Sequence, residues 1–254
     1  MRKNIITEFK NKLNSKGVIG VFCKTSDPAF IEILGHAGAD YVIIDLEHGP
    51  NTISMAQNLI RAAQVSGTFP IVRTKESCSS VMSEALDIGA GGIQIPQITT
   101  KADVVKVMEL TKFSPMGNRG VCRFVRAADY SAKNRFEYFK EANEALTIIQ
   151  VEGQEGIDNI EEILDVDGID VLFIGPYDLS QSLGVPGDIN NPIVEQKMLE
   201  IINKCAQRGV AVGTFTDTIK NAKKWQTLGV KYISYSVDVG IFYESAKDII
   251  SKLQ

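Results

Sequence analysis

Eight short, almost wholly apolar runs alternate with helix-like stretches, and this order constrains the fold more than any other feature of the chain. They are VIGVF (18–22), YVIID (41–45), FPIVR (69–73), GIQIP (92–96), TIIQV (147–151), DVLFI (170–174), VAVGT (210–214) and YISYS (232–236). Strands apolar on both faces must be covered on both sides, and strands joined through amphipathic helices run parallel. Eight such units in 254 residues predict a closed (β/α)8 barrel filling the chain, 1–254, as one domain. A doubly wound open sheet is the structural alternative.

Local signals agree with this parse. Asp27-Pro28 supplies a cap and a first-turn proline for a helix over AFIEILGHAG that ends at Gly38. TTKADVVKVMELTK carries Val104, Val105, Val107, Met108 and Leu110 at helical spacings. The excursion 114–145 exceeds an ordinary connection, and YSAKNRFEYFKEANEA within it reads as an extra helix.

A net charge of −4 argues against nucleic acid or an anionic membrane as the main partner. MRKNIITEFKNKLNSKG has neither the apolar stretch of a signal peptide nor that of a membrane span, so the expected location is cytoplasmic. Cys23, Cys78, Cys122 and Cys205 lie far apart with no C-x-x-C pairing, and read as reduced and mostly packing residues.

Barrel chemistry sits at the carboxyl ends of the strands. That rim collects Asp45, Glu47 and His48 after the second run, Arg73 after the third, Gln97 after the fourth, Gln150 and Glu152 at the fifth, and Gly175, Pro176, Tyr177 and Asp178 after the sixth. Glu152 and Asp178, two acids ending successive buried strands, suit a divalent cation, which takes hard oxygen ligands on rigid supports. Gln150 and Glu152 are two residues apart and point to the same side, toward the barrel axis. Asp45 and Glu47 are near enough in sequence to orient His48. His36, inside a helix, has a structural role.

The blocks DYVIIDLEHGPNT (40–52), PIVRTK (70–75), LDIGAGGIQIPQI (86–98), GNRGV (117–121), IIQVEGQEG (148–156) and FIGPYDLSQSLG (173–184) resemble, in order, those of the HpcH/HpaI aldolase/citrate lyase family. Its metal-dependent 4-hydroxy-2-oxo acid aldolase branch is the nearest. The resemblance implies cleavage of such an acid to pyruvate and an aldehyde with Mg²⁺, Mn²⁺ or Co²⁺ held by Glu152 and Asp178. It implies keto-acid contacts from Gln150 and the backbone around Tyr177 and Asp178, enolate stabilisation by Arg73, and proton acceptance by His48. Asp87 matches an acid that raises the basicity of that histidine, although its place at a helix end puts it near the opposite rim of its own barrel, within reach of a neighbouring subunit's site. The resemblance further implies a homo-oligomer that exchanges the C-terminal helix, VGIFYESAKDIISKL (239–253), within dimers, commonly three to an assembly. Ile241, Phe242, Ala246, Ile249, Ile250 and Leu253 give that helix a broad apolar face.

The chain departs from the family pattern at Tyr177, where alanine is usual, at Gly153 for threonine, at Phe22 for tryptophan and at Gln97 for methionine. All surround the expected aldehyde end of the pocket, so acceptor preference is where this chain is expected to differ. Three rivals follow from the same residues. An acyl-CoA lyase of the citrate lyase β-subunit or malyl-CoA lyase kind could use the same acids. A Schiff-base aldolase would need a barrel lysine, for which Lys24 and Lys75, both expected to face solvent, are the rim candidates. A non-catalytic keto-acid-binding barrel would lack a metal or enolate residue, and none is missing.

Overall fold

Each apolar run forms a strand: β1 (Val18–Cys23), β2 (Tyr41–Asp45), β3 (Phe69–Arg73), β4 (Gly92–Ile95), β5 (Leu146–Val151), β6 (Val171–Ile174), β7 (Ala211–Thr216) and β8 (Tyr232–Val237). In the computed structural model, which describes residues 2–75 and 79–254, they pair in parallel in sequence order. β8 returns to β1 with Val18 opposite Tyr232 and Ile19 opposite Ile233, so the sheet closes and the open-sheet alternative is excluded. Cys78 lies outside the described residues.

Twelve α-helices are described: α1 (Arg2–Ser15), α2 (Pro28–His36), α3 (Ile53–Ser66), α4 (Ser79–Asp87), α5 (Lys101–Thr111), α6 (Arg135–Ala142), α7 (Gln154–Asp158), α8 (Ile160–Leu164), α9 (Pro176–Ser182), α10 (Pro192–Arg208), α11 (Ile219–Thr227) and α12 (Asp238–Leu253). Asp27 caps α2 through its side chain, as its sequence predicts, and Gly38 takes a left-handed φ of 93° just beyond the end. Thr100 and Asp103 form a reciprocal capping box on α5, which buries Val104, Val107 and Met108. Val105 is exposed, because its position turns it away from the barrel. Within the 114–145 excursion the extra helix is shorter than expected: Asn134 caps α6 at Arg135, and a short 3-10 stretch over Arg126–Ser131 precedes it.

Two apolar layers hold the barrel. Outward strand residues such as Val42, Ile44, Val72, Ile93, Ile149 and Leu172 pack under the helices. Inward residues including Tyr41, Ile43, Phe69, Ile71, Ile148, Phe173 and Tyr232 fill the axis. Tyr41 stacks on Tyr232 at 4.1 Å, and a Cβ on Gly20 would sit 2.4 Å from the Tyr41 ring, so glycine there makes room for the stack. Helix α1 plugs the amino-terminal end: Phe9 stacks on Phe69 at 4.2 Å and Leu13 is fully buried. With that end sealed by apolar side chains, polar inward residues are left at the other, where strand residues turn from Ile and Phe to Arg73, Gln94, Gln150 and Glu152. Among the described residues no helix is long and apolar enough to cross a membrane.

Candidate active site

The carboxyl rim gathers its polar residues in two halves. On the β2–β3 side, Asp45 is fully buried and receives two hydrogen bonds from Arg73, from Nε at 2.9 Å and Nη2 at 2.7 Å. Strand register places the two residues side by side. Burial pushes the Asp45 carboxyl up, but the Arg73 bonds and charge, with the backbone N–H groups of His48 and Glu47, outweigh it and hold the group below its ordinary value. The third Arg73 nitrogen, Nη1, lies 3.0 Å from Glu47, and its guanidinium sits over the Phe22 ring, 4.7 Å from the centroid.

This arrangement corrects the expectation that Asp45 orients the histidine. The Asp45 carboxylate meets His48 only at its backbone N–H, 3.3 Å away, because both of its oxygens are taken by Arg73. Glu47 stands 3.8 Å from His48 Nε2, and the His48 side chain is 62% exposed at the mouth.

On the β4–β6 side a chain of amides fixes a buried acid. Gln94 Nε2 donates to Gln150 Oε1 at 2.7 Å, and Gln150 Nε2 donates to Glu152 Oε2 at 2.6 Å. The Gln97 backbone, in a left-handed conformation at φ 56°, turns its N–H to Glu152 Oε1 at 3.3 Å. Gln150 and Glu152 therefore share the inward face, as their spacing predicts. Burial raises the Glu152 carboxyl to about 7; the Gln150 bond opposes the rise, and the charges of Asp178 and Glu47 add to it. Burial likewise raises Glu47, against Arg73 and with Asp45 and Asp178.

Asp178, in the first turn of α9, is exposed beside this buried pair. Gly175 leaves room for the buried acid: a Cβ there would sit 2.5 Å from Glu152 Oε2. Among the described residues no three His, Cys, Asp or Glu side chains form a complete metal cage. Two neighbouring carboxylates, Glu152 buried and Asp178 exposed, nevertheless fit a cation that keeps positions for water and substrate, as Mg²⁺ does.

Asp87 ends α4 and lies away from this rim, paired with the buried Arg119 at 2.5 Å, as its place in the sequence implies. It does not meet His48 within its own chain. Lys75 is exposed and Lys24 half-buried, the Lys24 backbone N–H bound by Asp238, which also takes Thr25 and so ties the β1 loop to the start of α12. His36 is exposed at the end of α2. Sequence reading missed Gln94, although a glutamine amid an apolar strand was the available signal. It also missed Phe215 and Asp217, which meet Tyr177 from the end of β7.

Over residues 18–245 the chain matches the HpcH/HpaI aldolase/citrate lyase family model. It is 32% identical over 244 residues to a 5-keto-4-deoxy-D-glucarate aldolase of Escherichia coli O6:H1 (strain CFT073), covering 95% of this chain and 94% of the relative. A crystal structure of a family protein from Burkholderia cenocepacia J2315 superposes with a TM-score of 0.91 at 32% identity, covering 97% of this chain and 98% of that one. The citrate synthase SbnG superposes with a TM-score of 0.86 at 28% identity, with 96% of both chains covered. The sequence blocks, the closed barrel and these likenesses agree: the chain belongs to the HpcH/HpaI aldolase/citrate lyase family.

Proposed function

We propose that this protein is a divalent-metal-dependent aldolase that reversibly cleaves a 4-hydroxy-2-oxo acid into pyruvate and an aldehyde. The observation that carries the reading is the meeting, at one rim, of a rigidly held cation, Arg73, with a buried acid, Glu152, whose carboxyl lies beside Asp178. Glu152 and Asp178 would hold Mg²⁺, Mn²⁺ or Co²⁺, which when bound supplies Lewis-acid polarisation of the keto acid.

The chain's own residues account for the rest. The Gln150 amide and the backbone over Gly175, Pro176, Tyr177 and Asp178 orient the keto acid. His48 takes the proton from the C4 hydroxyl, whose O–H pair becomes the aldehyde C=O. The C3–C4 bonding pair moves to C3 and gives the pyruvate enolate, beside which Arg73 is a fixed positive charge. Protonation at C3 completes pyruvate. Asp45 is a positioning residue in this scheme, acting through Arg73. Asp87, paired with Arg119 away from this rim, would act at a neighbouring subunit's site.

The same reading includes assembly. The exposed Val239, Phe242, Tyr243, Ile249, Ile250 and Leu253 of α12 form an apolar surface that a second copy of the chain would cover. The free thiols of Cys23 and Cys205, both buried, accord with a reducing cytosol. A pyruvate-release assay on a panel of 4-hydroxy-2-oxo acids, with and without Mg²⁺, Mn²⁺ or Co²⁺, tests the function. Turnover of a malyl-CoA-type thioester in place of every keto acid would favour the acyl-CoA lyase instead.

A further inference from the structure

The half of the mouth that faces the aldehyde is built differently from the half that faces pyruvate. From Arg73 a line of rings runs outward. Phe22 lies under the guanidinium, Phe215 stands 6.1 Å from Phe22, and Tyr177 stands 6.0 Å from Phe215. The line ends in a carboxylate, because Tyr177 Oη donates to Asp217 Oδ2 at 2.5 Å. Asp217 follows β7 immediately, so this bond ties the start of α9 to the loop after β7.

Acids outnumber bases at the mouth, where Lys24 also acts on Glu47. Arg73 is already matched by Asp45 and Glu47, while Glu152 and Asp178 would face the metal. Asp217 is left with a neutral tyrosine for its partner, so its negative charge is uncompensated by that bond. An aldehyde whose far end is a carboxylate would approach this charge. One whose far end carries hydroxyls would find an acceptor in Asp217 and an apolar wall in Phe215 and Tyr177.

Resting on the aldolase reading above, we infer that Tyr177 and Asp217 set the acceptor specificity of this site, selecting neutral hydroxyaldehydes against aldehydes bearing a second carboxylate. The preferred cleavage substrate is then a mono-acid, with its single carboxylate at the pyruvate end. The relative acting on 5-keto-4-deoxy-D-glucarate handles a di-acid by its name, so the two would differ at the far end of the substrate.

The test is condensation with pyruvate in the presence of Mn²⁺, comparing kcat/KM for D-glyceraldehyde with that for tartronate semialdehyde. Pyruvate C3 proton exchange is measured alongside. The native protein should prefer glyceraldehyde by tenfold or more. Asp217→Asn should shrink that ratio about three- to tenfold, the size expected of one solvent-screened charge at contact distance, and Asp217→Glu should keep it. Because the readout is a ratio between two acceptors, a general loss of fold or turnover leaves it unmoved. Proton exchange with a native preference for the acidic aldehyde, or with a ratio unchanged in Asp217→Asn, would overturn this inference alone. Absence of exchange in the metal-loaded native protein would overturn the aldolase reading beneath it.

Discussion

Asp45 holds Arg73 at two points, with hydrogen bonds of 2.9 and 2.7 Å, so the cation at the barrel mouth is aimed by a fully buried carboxylate rather than by solvent. A two-point pair fixes direction as well as charge. Arg73→Ala should lower aldol cleavage and pyruvate C3 exchange together, by about 10²–10³, since both pass through the enolate. It should also destabilise the fold by about 3–5 kcal/mol, because Asp45 is left buried without its partner. Arg73→Lys should restore part of the stability and little of the rate. Steady-state kinetics with denaturant unfolding checks both halves, and near-normal turnover in Arg73→Ala would contradict the assigned role.

His48 should separate from Arg73. As acceptor of the hydroxyl proton it matters for C–C cleavage more than for exchange at C3. His48→Ala should therefore depress cleavage by about 10²–10⁴ while retaining measurable exchange. Loss of both to the same degree would place His48 elsewhere in the scheme.

Glu152 gives a pH prediction for the metal-free protein. Its carboxyl rises from 4.5 to about 7 on folding, so the native state binds the proton more tightly than the unfolded chain does. The resulting stability is complete below about 4.5 and is lost as pH rises through about 7. In EDTA, thermal unfolding of the native protein should thus worsen across that window, by up to on the order of 3 kcal/mol, relative to Glu152→Gln. Parallel pH profiles for the two proteins would contradict the raised carboxyl.

Gly175 tests the metal seat without replacing a ligand. Gly175→Ala places a methyl 2.5 Å from Glu152 Oε2 and should weaken Mn²⁺ binding about 10–100-fold by displacing that carboxylate. At Gly153 an added Cβ meets nothing within 4 Å, so Gly153→Ala should leave the affinity unchanged. Calorimetric titration of the two variants distinguishes them.

The α12 surface predicts a multimer. Light scattering at assay concentration should give at least a dimer, and Phe242→Glu combined with Ile249→Glu should lower the mass. An active native monomer would contradict the proposed assembly.

The fold was legible because parallel strands covered on both faces have an unmistakable composition: β2 and β3 begin and end where their apolar runs do. The positions at the rim followed from strand ends, and the alternation of Gln150 and Glu152 gave their common direction. What joins the rim residues was less visible. Arg73 and Asp45 are 28 residues apart, Gln94 and Gln150 are 56 apart, and Tyr177 and Asp217 are 40 apart. Barrel register brings such pairs together, and no local pattern announces which of several nearby acids a side chain takes. Sequence neighbourhood therefore gave His48 to Asp45, whereas the adjacent strand gave Asp45 to Arg73.

The most direct test of the central claim is pyruvate C3 deuterium exchange, followed by proton NMR in D₂O on the native protein before chelation, after thorough EDTA treatment, and after Mn²⁺ or Mg²⁺ is restored. The account predicts exchange that disappears on chelation, returns with the cation, and stays absent in Glu152→Gln under every condition. Exchange that continues undiminished after metal removal would contradict it.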